Sequence, residues 1–198
     1  MESMKTDKSK KRTISQTITG KEKEKIPNIG FYFMQFAMKV MDFFGNFANK
    51  NFKTLGIKKN QVVVDYGCGP GRYIKNASKA VGENGKVYAV DIHPLAIKKV
   101  NKIIRKHNLN NVETIQATGY SCSIPDDNAD VVYVLDAFHM IEDAKQFLSE
   151  IARIVKRDGV ILIENGHQNR TETLKKIKTS DKIQIVDENK SHVICIKK

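Results

Sequence analysis

Hydrophobic runs alternate with amphipathic stretches along the chain from residue 61 onward. Five short apolar runs predict buried strands: residues 62–64, 86–90, 112–116, 130–135 and 160–164. Three stretches with apolar residues at helical spacing lie between them: residues 72–81, 94–107 and 143–156. Strands that alternate with helices predict an α/β domain with a mostly parallel sheet and helices on both faces.

The last part of the chain extends this pattern. Lys156 and Arg157 stand where cations complement the dipole of the third helix, and Gly159 is expected to end that helix. A short helix and two alternating segments complete the predicted elements: residues 170–178, 182–186 and 192–196. The two alternating segments are typical of an antiparallel hairpin.

The composition divides the chain into three parts. Residues 1–25 carry eight Lys or Arg side chains against four Asp or Glu and only four apolar ones, so we predict a disordered basic tail. Residues 26–52 hold seven of the nine Phe residues, and three Met residues recur there at helical spacing. This segment predicts a helix that is covered on more than one side. Residues 53–198 form the predicted α/β domain.

The charge and the cysteines restrict the partners only weakly. The formal net charge of +12 suits nucleic acid, an anionic membrane surface or an anionic substrate, but also ordinary surface lysines. The three cysteines lie far apart without C-x-x-C spacing, so no metal site or disulfide is expected and a cytoplasmic location fits. The most apolar run, residues 31–44, is too short and too polar to span a bilayer.

A glycine-rich turn after the first predicted strand carries the strongest chemical signal. Residues 65–71 read D-Y-G-C-G-P-G and lead into a helix, where backbone N–H groups can approach a ligand closely. A nicotinamide dinucleotide site would need glycine at position 72, where this chain has Arg72, so that alternative is disfavoured. Asp91 ends the second strand, twenty residues after Gly71, where a carboxylate can accept both hydroxyls of a ribose.

The element D-x-G-x-G-x-G with this spaced Asp resembles the class I S-adenosylmethionine-dependent methyltransferases. Within them the chain is similar to the small group that includes the ubiquinone/menaquinone-biosynthesis methyltransferases, whose later landmarks resemble residues 138–141 (F-H-M-I) and 151–159 (I-A-R-I-V-K-R-D-G). The resemblance implies a Rossmann-like sheet of seven strands in the order 3-2-1-4-5-7-6. It also implies a helical lid over residues 26–52 and S-adenosyl-L-methionine as the cofactor.

The resemblance also implies roles for individual residues. Asp65 would hold the amino group of the cofactor, Asp91 its ribose, and Ile92 would contact the adenine. Thr118 stands where the family usually has an Asp that binds the adenine amino group, and its hydroxyl can still form a hydrogen bond. The other implied cofactor-binding positions are Tyr66, Gly67, Cys68, Gly69, Gly71, Gly119, Asp136 and Ala137.

His139 and Asp136 are the candidate catalytic residues, because both follow the fourth strand, where the resemblance places the transferred methyl group. A second histidine, His167, follows the fifth strand. A base is needed only if the acceptor must lose a proton.

Three functions follow in order of preference. The compact chain and its Phe/Met-rich segment favour a small apolar or amphipathic methyl acceptor. The basic residues keep RNA or protein methyl transfer open, although no N-P-P-Y-type tetrapeptide follows the fourth strand. Thr118 keeps a non-catalytic cofactor-binding role open.

Overall fold

The computed structural model describes residues 27–45 and 47–198, and the predicted tail, residues 1–25, lies outside them. Two helices come first, α1 (Asn28–Gly45) and α2 (Phe47–Lys53). The other elements follow in this order: β1 (Val62–Tyr66), α3 (Ile74–Val81), β2 (Lys86–Asp91), α4 (Pro94–His107), β3 (Val112–Gln116), β4 (Ala129–Val134), a 3-10 turn (Phe138–Met140), α5 (Ala144–Ile154), β5 (Val155–Glu164), α6 (Arg170–Ile177), β6 (Ile183–Glu188) and β7 (His192–Lys197).

The seven strands form a single sheet in the order β3-β2-β1-β4-β5-β7-β6, which confirms the predicted topology. Strands β1 to β5 run parallel, while β7 pairs antiparallel with both β5 and β6. The predicted C-terminal hairpin is therefore present, and its strand β6 forms one edge of the sheet. The order reverses at β1 and β4, and in open α/β sheets this position is where ligands bind.

The core has two layers, one on each face of the sheet. Alternate residues of a strand point to opposite faces, so Val64 belongs to one layer and Val63 to the other. One layer includes the apolar face of α5, with Leu148 and Ile151 fully buried, and the other includes Ile74 of α3. Helices cover both faces, as the alternation of elements predicted.

The prediction for the end of the third amphipathic helix was wrong. Helix α5 ends at Ile154, and β5 begins at Val155, whose extended backbone pairs with Ala129 of β4. Lys156 and Arg157 are therefore strand residues and do not complement a helix dipole. Hydrogen bonding to the neighbouring strand decided the boundary, and local sequence holds no information about that partner.

Helix α1 is less covered than the sequence predicted. Its side chain Phe31 is buried and stacks on His93 with ring centroids 4.8 Å apart. On its outer side, Ile29, Phe33 and Phe36 are each more than 60% exposed, so the prediction of cover on more than one side was wrong for the described residues. Within those residues, no helix combines the length and apolar content that a crossing of the bilayer requires.

Arg153 of α5 holds the loop that precedes β4. Its guanidinium donates to the carbonyl oxygens of Cys122 and Ile124 at 3.1 and 2.8 Å, and to the Glu150 carboxylate at 2.7 and 2.8 Å. Glu150 also accepts the Cys122 N–H at 2.9 Å. Burial alone would raise the pKa of Glu150, but the hydrogen bonds from Arg153 and Cys122 bring it below its ordinary value.

We expect Arg153→Ala to lower the free energy of unfolding by about 2–3 kcal/mol, because it leaves the buried Glu150 charge uncompensated. Combined with Glu150→Gln, the loss should be smaller than the sum of the two single losses. Urea unfolding of the four proteins measures this coupling. The pKa of Glu150 is lower in the folded state than its ordinary value of 4.5. The contribution of Glu150 to the free energy of unfolding should therefore be complete at a pH above 4.5 and should decrease as the pH falls below that value. Strictly additive losses would contradict the assigned role of the pair.

Candidate active site

A cavity of about 450 Å³ lies at the carboxyl ends of β1, β2, β3 and β4. The turn after each of these strands contributes to its wall, and α1 covers it from the other side through Phe31, Met34 and Met38. The volume is in the range of small-molecule sites, and most of the wall is apolar. The cavity is therefore at the place where the strand order predicts a ligand.

The glycine turn after β1 forms one wall of the cavity and requires its glycines. Gly67, Gly69 and Gly71 all have positive φ, at 84°, 50° and 84°. A Cβ on Gly67 would lie 2.6 Å from the Cβ of Ala137, so only glycine lets the backbone pass there. The N–H of Gly67 donates to the Val90 carbonyl at 2.8 Å, which joins the turn to β2.

Asp91, at the end of β2, ties this turn to the next helix. Its two carboxylate oxygens accept the N–H of Gly69 and the N–H of His93, each at 2.8 Å. Burial raises the pKa of Asp91 above its ordinary value, and these N–H groups limit the rise. A carboxylate offers about four lone-pair sites, so Asp91 keeps acceptor capacity on the cavity side.

Asp65 lies beneath the glycine turn and is 1% exposed. Its Oδ2 has no hydrogen-bond partner among the described residues, and the side chain is not part of the cavity wall. Burial, and then the charge of Asp91, raise the pKa of Asp65 to about 8, while the Tyr133 hydroxyl beside it limits the rise. Its predicted contact with the cofactor's amino group stays a prediction.

A third acidic group lies at the ends of β4 and β5. Asp136 adopts a positive φ of 56° and pairs with Arg72, whose Nη1 is 3.1 Å from Oδ2. The Asp136 N–H donates to Glu164 at 3.1 Å, and Asn51 donates to the other Glu164 oxygen at 3.4 Å. Burial, and then the charge of Asp136, raise the pKa of Glu164 to about 7. This cluster can bind or release a proton near neutral pH.

Aromatic rings form the wall after β3. The Tyr66 hydroxyl donates to the Tyr120 carbonyl at 2.5 Å, and the Tyr66 and Phe147 rings meet edge to face at 5.2 Å. Gly119 contributes to the same wall. Thr118 is exposed, lies outside the wall, and its N–H donates to a neighbouring carbonyl at 3.0 Å. The structure therefore gives its expected adenine contact no support.

The two histidines lie away from the cavity. The ring of His139 contacts Gly166 and meets the His167 ring edge to face, with centroids 5.0 Å apart. Neither histidine is part of the cavity wall, whereas the neighbouring Met140 and Ile141 are. Of the two candidate catalytic residues, the cavity wall therefore includes Asp136 but not His139.

Most of the predicted cofactor-binding residues come together around the cavity. The wall includes these predicted positions: Tyr66, Gly67, Cys68, Gly69, Asp91, Ile92, Gly119, Asp136 and Ala137. It does not include these: Asp65, Gly71 and Thr118. Sequence reasoning missed Arg72, Tyr120 and Glu164 as site residues. Glu164 carries a detectable signal, because it is a carboxylate at the end of a buried parallel strand, as Asp91 is.

Comparisons with known proteins agree with this geometry. A family model described as a methyltransferase domain matches residues 57–195. The ubiquinone/menaquinone biosynthesis C-methyltransferase UbiE of Proteus mirabilis is 30% identical over 109 residues, which are 54% of this chain and 43% of that protein. The match therefore spans less than half the length of this curated relative.

Solved structures share the fold. A SAM-dependent methyltransferase from Aquifex aeolicus superposes with a TM-score of 0.65 at 24% identity, over 75% of this chain and 87% of that one. A SAM-dependent O-methyltransferase from Thermotoga maritima superposes with a TM-score of 0.58 at 17% identity, over 78% of this chain and 65% of that one. The family model covers well over half of the sequence, and the chain therefore belongs to the methyltransferase domain family, with the fold of the class I S-adenosylmethionine-dependent methyltransferases.

Proposed function

We propose that the protein binds S-adenosyl-L-methionine in this cavity and transfers its methyl group to a small-molecule acceptor. The observation that carries the proposal is the Asp91 carboxylate, which holds the glycine turn and still faces the cavity with acceptor capacity. Membership of the methyltransferase domain family supports it. The similarity to the Proteus mirabilis ubiquinone/menaquinone biosynthesis C-methyltransferase supports a small acceptor.

The residues around the cavity fit this cofactor. Asp91 would bind the ribose, and Ile92 and Gly119 would contact the adenine beside the aromatic wall. The glycine turn would lie under the methionine part, because Gly67 leaves room there that a side chain would fill. The Oδ2 of Asp65, which has no hydrogen-bond partner among the described residues, would bind the cofactor's ammonium group directly or through a water molecule.

The chemical demands on the protein are modest. Bound S-adenosyl-L-methionine supplies an already activated methyl group, so the protein must mainly align the acceptor and exclude water. Phe31, Met34 and Met38 of α1 would exclude water, which is the lid function proposed for residues 26–52. Where the acceptor must lose a proton, Glu164, which lies behind Asp136 of the cavity wall, would take it up, since the pKa of Glu164 is raised to about 7.

The wall of the cavity favours a small acceptor over a nucleic acid. Among the described wall residues Arg72 is the one Lys or Arg, and it is paired with Asp136. A phosphate backbone would need several cations near the cavity. The apolar side chains of α1 fit an apolar or amphipathic molecule instead. A cytoplasmic location belongs to this proposal, because Cys68, Cys122 and Cys195 are free thiols.

Asp91→Ala should weaken binding of S-adenosyl-L-methionine by about 100-fold or more, because it removes two charge-assisted hydrogen bonds to the ribose. Isothermal titration calorimetry measures the change. Asp158→Ala removes an exposed carboxylate far from the cavity wall and should leave the affinity unchanged. A folded Asp91→Ala protein with wild-type affinity would contradict the proposal.

Gly67→Ala should abolish cofactor binding, since the new Cβ would lie 2.6 Å from Ala137 in a residue with a φ of 84°. Gly56→Ala is the matched control, because Gly56 also has a positive φ, of 64°, but has open space around a Cβ. Both variants carry backbone strain, and Gly67→Ala should lose more stability in thermal unfolding because it also adds the overlap with Ala137. Only Gly67→Ala should lose binding in calorimetry. Equal affinities in the two variants would show that the close approach at Gly67 has no role in binding.

Cofactor affinity should increase with pH up to about 8. The pKa of Asp65 is raised to about 8, so this group is protonated at lower pH and must release a proton to attract the cofactor's ammonium group. We expect an increase of roughly twentyfold between about pH 6 and about pH 7.5 in calorimetric titrations, which is the change in the ionised fraction of Asp65. Asp65→Asn should remove this dependence. Glu164→Gln is the control, and a dependence that disappears only in Glu164→Gln would assign the proton to that residue.

A further inference from the structure

Helix α1 carries a second apolar face that the cavity does not use. Phe31, Met34 and Met38 point to the cavity, at a spacing of three and four residues. A separate set follows the same helical spacing on the outer side and is between 39% and 68% exposed: Ile29, Tyr32, Phe33, Phe36 and Val40. We call this set the outer stripe.

The outer stripe holds most of the exposed large apolar side chains among the described residues. The described part of the chain has six exposed large apolar side chains, and five of them form the stripe, while the sixth is Val186 on β6. Single exposed apolar residues are ordinary in soluble domains, but a contiguous group on one helix marks an interaction surface. Aromatic residues make up three of the five, and aromatic rings favour the boundary between water and lipid.

Positive charge lies beside the outer stripe. The Nζ of Lys99, on α4, is 5.7 Å from the ring centre of Tyr32, a stripe residue. Helix α4 has five Lys or Arg residues and no Asp or Glu, and Lys98 and Lys102 are exposed. Residues 1–25, which precede α1 in the sequence, add eight Lys or Arg against four Asp or Glu. An apolar stripe with basic neighbours has the two features that peripheral binding to anionic lipid requires.

We propose that the outer stripe docks the protein on the surface of an anionic lipid bilayer. The stripe would enter the interface between head groups and acyl chains, and the lysines of α4 would contact the lipid phosphates. This inference does not depend on methyl transfer, because no residue of the cavity takes part in it.

Two other occupants fit the surface less well. Residues 1–25 have only four apolar side chains, which are too few to cover five large ones. A second copy paired through α1 would bring two sets of basic residues against each other, which opposes association. An anionic bilayer matches both the apolar stripe and its positive surroundings.

Vesicle sedimentation with the full chain tests the proposal. We expect binding to vesicles with about one third phosphatidylglycerol in phosphatidylcholine, weak binding to phosphatidylcholine alone, and a decrease with added salt. The affinity of the double variant Phe33→Asp/Phe36→Asp for the anionic vesicles should be lower by about tenfold or more. Val186→Asp is the matched control, since it changes an exposed apolar residue outside the stripe, and it should bind as the wild type does. Circular dichroism verifies that all proteins are folded.

A fluorescent variant supplies an independent readout. The chain has no Trp, so Phe36→Trp places a single reporter on the stripe. Its emission should shift to shorter wavelength on anionic vesicles and be quenched by lipids with brominated acyl chains. The proposal fails if the folded wild type does not bind anionic vesicles, or if the double variant binds them as tightly as the wild type does. It also fails if the wild type is a dimer, the double variant is a monomer and neither protein binds vesicles, because the stripe would then join two copies.

Discussion

The carboxylate of Asp91 joins three parts of the molecule that are separate in the sequence. It accepts the N–H of Gly69 in the turn after β1 and the N–H of His93 at the start of α4. The His93 ring in turn stacks on Phe31 of α1, which covers the cavity. Hydrogen bonds to a buried carboxylate are stronger than those between neutral groups, so this one side chain holds the turn against the start of α4.

Several carboxylates gather at the same edge of the sheet, and their charges oppose one another. Asp65 and Glu164 have pKa values raised to about 8 and about 7, in each case by burial and then by a neighbouring carboxylate. Arg72 compensates part of this charge through its pair with Asp136. An acidic edge of this kind favours a ligand that carries positive charge, and a ligand that binds only the folded state also stabilises it. The repulsion among these carboxylates in the free protein and its proposed preference for a cationic cofactor therefore have the same cause.

Helix α1 connects the cavity to the molecular surface. Its inner side chains bound the cavity, whereas its outer stripe is exposed next to basic residues. Apolar side chains on both sides of a helix favour cover on both sides. The protein core and the cavity cover the inner side, and the proposed bilayer contact would cover the outer one. Docking of the stripe would then also hold the inner side chains over the cavity.

The sequence by itself determined the order of the elements and the location of the glycine turn. These features depend on local periodicity and on residues that are close in the chain, and the bounds of α4 and β3 were predicted to the residue. The resemblance added the strand order, which the sheet confirms. Only the tertiary structure decided features that join distant residues. Arg72 pairs with Asp136 across 64 positions, and the pairing of Val155 with Ala129 ended α5 early. The ring of His139 contacts Gly166 and is not part of the cavity wall, and no local pattern encodes that contact.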